Sequence, residues 1–232
     1  MKKYFLSFGL LLTVGLATVV CNSCGDGKDE PDTETTDPNK LDPTDPTISS
    51  TTDKGVVING IKWATRNVDK PGTFTAKPED KGMLYQWNST VGWSSTDPRT
   101  STDGSSWNPD WNGNNATTWE KTNNVCPSGW RVPTQAELTN LANTDSEWTT
   151  IPVNGRIFGN GDNALFLPAT NYRHNYDGSL DGMGTVGYYW SSTPESEPWI
   201  FFLKFSKNSA NLNNSNLRPG EGISVRCVAE IN

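Results

Sequence analysis

The chain is 232 residues long, carries a net charge of −7 and contains one histidine against ten tryptophans. A lone His gives proton shuttling or His-rich metal chemistry little to build on, and the acidic balance offers no basic footprint for nucleic acid. So many indoles among abundant Gly, Asn, Ser and Thr is the composition of a β-rich extracellular domain of short strands and long polar loops.

Residues 1–23 read as an export leader. Lys2 and Lys3 precede a nearly continuous apolar run from Tyr4 to Val20, short for a bilayer span but sized for a signal-peptide core. Ser23 places a small side chain before Cys24, whereas two valines precede Cys21, so Cys24 is the expected lipidation site. Cysteine parity agrees with it. Cys21 leaves with the leader, Cys24 takes lipid, and Cys126 and Cys227 remain to pair in an oxidising compartment.

Residues 24–54 then form a lipidated cysteine followed by an acidic tether. Residues 25–54 hold nine acids and three lysines, with almost no large apolar side chain to offset the entropy of ordering, and disorder is expected throughout. Stiffened by four prolines, such a segment reaches roughly 90 Å fully extended and about 30 Å as a coil. The acidic run Asp26, Asp29 and Glu30 just after Cys24 resembles the surface-export signal of Bacteroidetes lipoproteins. The resemblance implies an outer-membrane lipoprotein whose domain faces outward.

The folded domain is expected over residues 55–232, long enough to bury one sizeable core. It opens with Val56-Val57-Ile58, Asn59-Gly60 and Ile61-Lys62-Trp63-Ala64, where Asn-Gly between apolar runs predicts a tight hairpin. A polar, Trp-studded stretch from Asn88 to Asn124 is too long for an ordinary connection, and loops of that kind are commonly functional. Thr134 and Glu137 spell a capping box before a helix striped by Leu138, Leu141 and Ala142, with Asn143 as its stop. Strands are predicted at 156–158, 164–167, 187–191, 199–205 and 223–230. In the fourth of these the odd positions Trp199, Phe201, Leu203 and Phe205 form the expected core face; in the last, Ile223, Val225 and Cys227 point inward, opposite Ser224 and Arg226.

Four motifs carry a family likeness: Cys126-Pro-Ser-Gly-Trp-Arg-Val-Pro-Thr-Gln-Ala-Glu-Leu138, Gly82-Met-Leu-Tyr-Gln-Trp87, Tyr189-Trp-Ser-Ser-Thr193 and Ser224-Val-Arg-Cys-Val228. Together they resemble the Fibrobacter succinogenes major paralogous domain, over about Gly55 to Ala229. The same elements resemble the C-type lectin-like fold, in which a cysteine near the first helices is tied to the terminal strand and a long loop region presents the ligand surface. The implied fold class is therefore α+β, with short, mostly antiparallel strands, one or two helices and long loops. Cys126 and Cys227 match the cysteine pair. "GWRVPTQAEL" and "SVRCV" also loosely resemble stretches of the formylglycine-generating enzymes on that fold.

Enzyme chemistry finds few supports. The formylglycine reaction needs a reactive cysteine pair, yet both remaining cysteines read as a structural link. Zinc needs about four ligands, and His174 stands alone in a polar loop, where it reads as a solvated residue. Neither a nucleophile elbow nor a phosphate-binding loop is present. The Glu-Pro-Asn, Gln-Pro-Asp and Trp-Asn-Asp motifs of calcium-dependent lectins are also missing, and Asp177-Gly-Ser-Leu-Asp-Gly182 reads as turn chemistry. The expectation is a non-enzyme with no metal and no cofactor.

The tryptophans divide into two groups. Trp63, Trp87, Trp130, Trp190 and Trp199 lie in or beside predicted elements and are expected in the core. Trp93, Trp107, Trp111 and Trp119 stand among polar loop residues and, with Asn112 and Asn114, are the candidate ligand surface. Flat indoles beside amide donors suit a sugar ring; the competing reading is that these indoles pin the loop as a minor core. Two functions follow: a surface recognition module binding glycan or protein without metal, through residues 88–124 and 171–187, or a structural envelope component.

Overall fold

The computed structural model describes residues 49–230 apart from 171, 183, 195–198 and 214–216. The expected leader, Cys21, Cys24 and residues 25–48 of the acidic segment lie outside the described residues. No helix among the described residues is long and apolar enough to cross a membrane.

Short strands dominate. In chain order they are β1 (Val56–Ile58), β2 (Ile61–Trp63), β3 (Leu84–Tyr85), β4 (Gly92–Trp93), β5 (Trp130–Arg131), β6 (Ser146–Thr149), β7 (Gly155–Phe158), β8 (Leu165–Pro168), β9 (Tyr172–Arg173), β10 (Leu180–Asp181), β11 (Val186–Pro194), β12 (Ile200–Ser206), β13 (Ala210–Asn213) and β14 (Val228–Ala229). The helix α1 spans Gln135–Ala142 between β5 and β6. All the named strand pairs are antiparallel. They form sheets ordered β1-β2-β14-β5, β3-β4, β6-β7-β8, β10-β9 and β11-β12-β13, an α+β arrangement.

Local sequence explains several of these elements. Asn59 (φ 50°) and Gly60 (φ 82°) both take the left-handed conformation that a two-residue hairpin between β1 and β2 requires. At α1 the Thr134 hydroxyl accepts from the Glu137 N–H at 3.3 Å, and the Glu137 carboxylate accepts from the Thr134 N–H at 2.7 Å. Arg131 on β5 pairs with the same carboxylate at 2.6 Å. Burial pushes the Glu137 carboxyl up, but hydrogen bonds from Arg131 and Thr134 outweigh it and hold the group below its ordinary range.

The β11-β12-β13 sheet divides two cores. Trp190, Ile200 and Phe202 join one cluster, with Trp87, Trp130, Ile223 and Val225. Tyr189, Leu203 and Phe205 join the other, against Leu138 and Leu141 of α1 and the strands β7 and β8. The one-faced pattern expected for β12 is thus corrected: Ile200 and Phe202 on the even face are buried, while Trp199 and Phe201 are only half-buried. A strand covered on both sides has no polar face to alternate with.

The expected terminal strand is likewise shorter than predicted. Only Val228–Ala229 forms a strand; residues 222–227 instead thread between several neighbours. Ile223 exchanges backbone bonds with Tyr85 at 3.0 and 2.8 Å, Trp190 donates to the Ser224 carbonyl, Val68 to that of Val225 and Ala64 to that of Cys227. Ser224 and Arg226, predicted to lie opposite the core, are buried as well. Arg226 is partly satisfied internally: Nε donates to Asn67 Oδ1 at 2.9 Å and Nη1 to the Ala64 carbonyl at 3.1 Å, while the buried Nη2 has no hydrogen-bond partner among the described residues.

Cys126 and Cys227 form a disulfide with a Cα–Cα distance of 6.1 Å across 101 residues. It ties the segment before β5 to this central thread. Residues 49–54, expected as tether, are among the described residues and bond to the domain ahead of Gly55. The Asp53 side chain is buried: it accepts from the Gly55 N–H at 2.8 Å and the Thr65 N–H at 3.1 Å, and pairs with Arg66 at 3.1 Å. A carboxylate satisfied by that many donors is an anchor point, not a tether residue.

Candidate functional site

The long loop from Asn88 to Asn124 is folded around its own indoles. Trp93 lies on β4 and meets Trp107 edge-on, ring centroids 5.0 Å apart. Trp107 donates from Nε1 to the Asn175 carbonyl at 2.7 Å, and the Arg99 guanidinium lies 5.7 Å over its ring. Trp119 packs edge-on against Trp87 at 6.1 Å and donates to the Asn123 carbonyl at 2.8 Å. Trp93, Trp107 and Trp119 retain only 3, 8 and 7% of their exposure. Indoles enclosed to that degree offer no open face, so these three belong to a loop core, not to a ligand platform.

Trp111 differs. It is half-buried, and its Nε1 donates to the Trp87 carbonyl at 2.7 Å, which fixes the ring without covering it. Asn112 and Asn114 beside it are exposed. Asn112 Oδ1 accepts from the Asn114 N–H at 3.0 Å while its Nδ2 donates to Asn115 Oδ1 at 3.1 Å, so its amide mainly shapes the turn.

Two buried residues with no earlier assignment hold this loop in place. Asn88 Oδ1 accepts from the Glu120 N–H at 2.9 Å and from Asn123 Nδ2 at 3.2 Å, while its Nδ2 donates to the Gly113 carbonyl at 3.0 Å. Gln86 donates from Nε2 to the carbonyls of Asn108 at 2.8 Å and Gly220 at 2.9 Å, stapling the loop to the chain's last segment. Each lies in or beside the "GMLYQW" motif, but neither amide carries a pattern that announces its partner.

Where these segments meet, Pro109, Asp110, Trp111, Asn112, Asn175, Arg218 and Pro219 line a cavity of about 270 Å³. Gly220 permits the meeting: a Cβ there would lie 3.1 Å from both the Asn175 side chain and the Trp111 carbonyl. Asn175 is gripped from both sides, its carbonyl by Trp107 and its N–H by Glu221 Oε2 at 2.9 Å. Burial pushes the Glu221 carboxyl up to about 7, opposed by the Asn175 N–H and the Arg218 charge. A larger groove of about 600 Å³ runs past Asp69, Glu79, Asp80 and Ser94 to Thr96, but it has no aromatic wall.

Beside the smaller pocket an aromatic ladder climbs out of the sheet. Tyr188 meets Tyr172 at 5.0 Å, Tyr172 meets His174 at 4.8 Å, and His174 meets Tyr176 at 5.1 Å. Tyr176, at its end, is 62% exposed. His174 is therefore a half-buried rung and not the freely solvated loop residue expected; its Nε2 lies 3.5 Å from Asp181 Oδ2. The Tyr172 hydroxyl donates to that carboxylate at 3.2 Å, and burial first, then the Asp181 charge, raises the phenol well above its ordinary value. Asp177 and Asp181 accept from the N–H groups of Ser179 and Gly182, closing turns. Among the described residues no group of three His, Cys, Asp or Glu could hold a metal ion.

Buried Arg173 supports the second loop from below. It donates to the carbonyls of Ser94 at 2.9 Å, Thr96 at 2.8 Å and Gly178 at 2.6 Å, joining residues 94–96 to the 177–182 turns. No protein-family model, no curated protein and no solved structure matches the chain.

Proposed function

We propose that the domain is a C-type lectin-like recognition module that takes a saccharide ring in the Trp111 pocket without a metal. The observation that carries this reading is the composition of the pocket wall. Trp111, Pro109 and Pro219 offer apolar surface, while Asp110, Asn112, Asn175 and Arg218 supply polar groups around it. A pyranose has that duality, with C–H groups that stack on an indole and hydroxyls that must find partners. Rigidity favours it too, because Trp87, Gln86, Trp107 and Glu221 fix the three contributing segments before any ligand arrives.

The lectin-like assignment is supported by the disulfide from the helix side to the terminal segment, the small antiparallel sheets and the long ordered loop that builds the pocket. It agrees with the likeness to the Fibrobacter succinogenes major paralogous domain. We read the domain as non-catalytic, since the two cysteines a formylglycine-type oxidation would need are joined to each other. Cys24 is proposed as the lipid anchor of an outward-facing outer-membrane lipoprotein, with residues 25–48 as spacer. Several acyl chains at about 0.8 kcal/mol per buried CH₂ make such an anchor stable.

A glycan panel probed with the detergent-solubilised full chain tests the recognition reading. Saturable binding that is lost in Trp111→Ala and kept in Ile151→Ala, a change at an exposed residue outside the pocket lining, supports it. Absence of binding across neutral and charged glycans by a folded chain rejects it and leaves the structural envelope role. For the anchor, a fatty-acid analogue is expected to label the wild type and not Cys24→Ala, and protease shaving of intact cells is expected to release the domain.

A further inference from the structure

Arg218 is the exposed cation of the pocket, and its backbone is fixed on every side. The Leu217 carbonyl accepts from Ile200 at 3.5 Å, that of Arg218 from Glu221 at 3.0 Å and that of Pro219 from Trp87 at 2.8 Å. Its guanidinium lies 5.9 Å over the Trp199 ring, which limits where the charge can go. The ion pairs among the described residues are Arg66–Asp53, Arg131–Glu137, Arg173–Asp97 and His174–Asp181, so none of these neutralises Arg218. Glu221, three residues on, is buried and bonded to the Asn175 N–H; the Arg218 charge acts on it without closing an ion pair.

We propose that the pocket selects a sugar carrying a carboxylate, a hexuronic acid, over its neutral counterpart. The ring lies against Trp111 and the two prolines, the carboxylate meets the Arg218 guanidinium, and ring hydroxyls meet Asp110 and Asn175. This assignment rests on the reading of the pocket as a saccharide site. A planar guanidinium gives a carboxylate two charge-assisted hydrogen bonds, whereas a neutral hydroxymethyl group offers it one ordinary acceptor. Asp110, in the same lining, accepts from ring hydroxyls but its charge opposes a uronate, so the preference rests on the direct guanidinium–carboxylate contact at Arg218. The cavity of about 270 Å³ sits just below the roughly 300–1,000 Å³ typical of pockets for drug-sized ligands, which suits one ring of a longer chain.

The experiment is a calorimetric titration of the full chain, in detergent, with oligogalacturonate and with neutral galactose oligomers of equal length, at low and high salt. The expected result is binding of the uronate about tenfold or more tighter, an advantage that shrinks as salt screens the charge and disappears in Arg218→Gln. Equal affinity for the two sugars would overturn the carboxylate preference while leaving the saccharide reading intact. A uronate advantage that survives in Arg218→Gln would overturn the role of Arg218. Binding of neither sugar, with the fold intact by circular dichroism, would overturn this inference and count against the saccharide reading itself.

Discussion

The indole N–H of Trp107 donates to the backbone carbonyl of Asn175 at 2.7 Å, so a residue of the long loop sets the position of a pocket residue 68 positions away. Trp107 is thereby a builder of the site and not its floor. Trp107→Phe keeps a ring against Trp93 but removes the donor, leaving the Asn175 carbonyl unpaired at a part-buried position. The expected loss is about 1–2 kcal/mol of stability, read by denaturant unfolding. Saccharide affinity is expected to fall while the stoichiometry of binding stays the same. A variant as stable as the wild type would show that the bond does not hold Asn175.

The disulfide between Cys126 and Cys227 closes a loop of 101 residues. On chain-entropy grounds such a link contributes roughly 4–5 kcal/mol, a large share of an ordinary domain's stability. Cys126→Ser with Cys227→Ser is expected to lower the melting temperature by about 10 °C or more. The double substitution avoids leaving one unpaired thiol. Matching melting curves for the variant and the oxidised wild type would remove the cross-link from any account of stability.

Local signals made some parts of this fold legible and left others hidden. The Asn59-Gly60 turn and the Thr134–Glu137 box are short-range devices, read from two and four residues, and both lie where the sequence predicts. The Cys126–Cys227 pairing is long-range but follows from counting cysteines. By contrast, the burial of Ser224, Arg226 and both faces of β12 depends on what packs against them, which periodicity does not encode. The loop indoles were legible as a group, yet their division was not. Whether Trp107 or Trp111 shows an open face is decided by partners such as Asn175 and Trp87, far away in sequence.

Asp53 fastens residues 49–54 to the folded domain, and a truncation can show it. Its carboxylate pairs with Arg66, whose side chain is 4% exposed, so its removal strands a buried guanidinium. Breaking a buried pair from one side costs roughly 3–5 kcal/mol. Arg66 keeps its bond to the Thr75 carbonyl at 2.8 Å, which places the expected cost for Asp53→Ala at about 3 kcal/mol, the low end. A chain starting at Gly55 is expected to lose at least as much relative to one starting at Ser49. Equal denaturation midpoints for the two would return residues 49–54 to the tether.

Glu221 predicts how stability depends on pH. Burial raises its carboxyl from the usual 4.5 to about 7, so between those values the folded chain holds a proton that the unfolded chain has released. The stabilising contribution of the protonated group is therefore complete below about pH 4.5 and is lost as pH rises to about 7. Glu221→Gln stays neutral and keeps an oxygen to accept the Asn175 N–H. Relative to wild type it is expected to gain stability on going from pH 5 to pH 8, by a few degrees of melting temperature. That corresponds to about 1 kcal/mol once solvent screening is discounted. Melting curves recorded across this range for both chains decide the matter: a constant offset between them would mean that Glu221 does not titrate there, and a wild-type advantage growing with pH would reverse the sign.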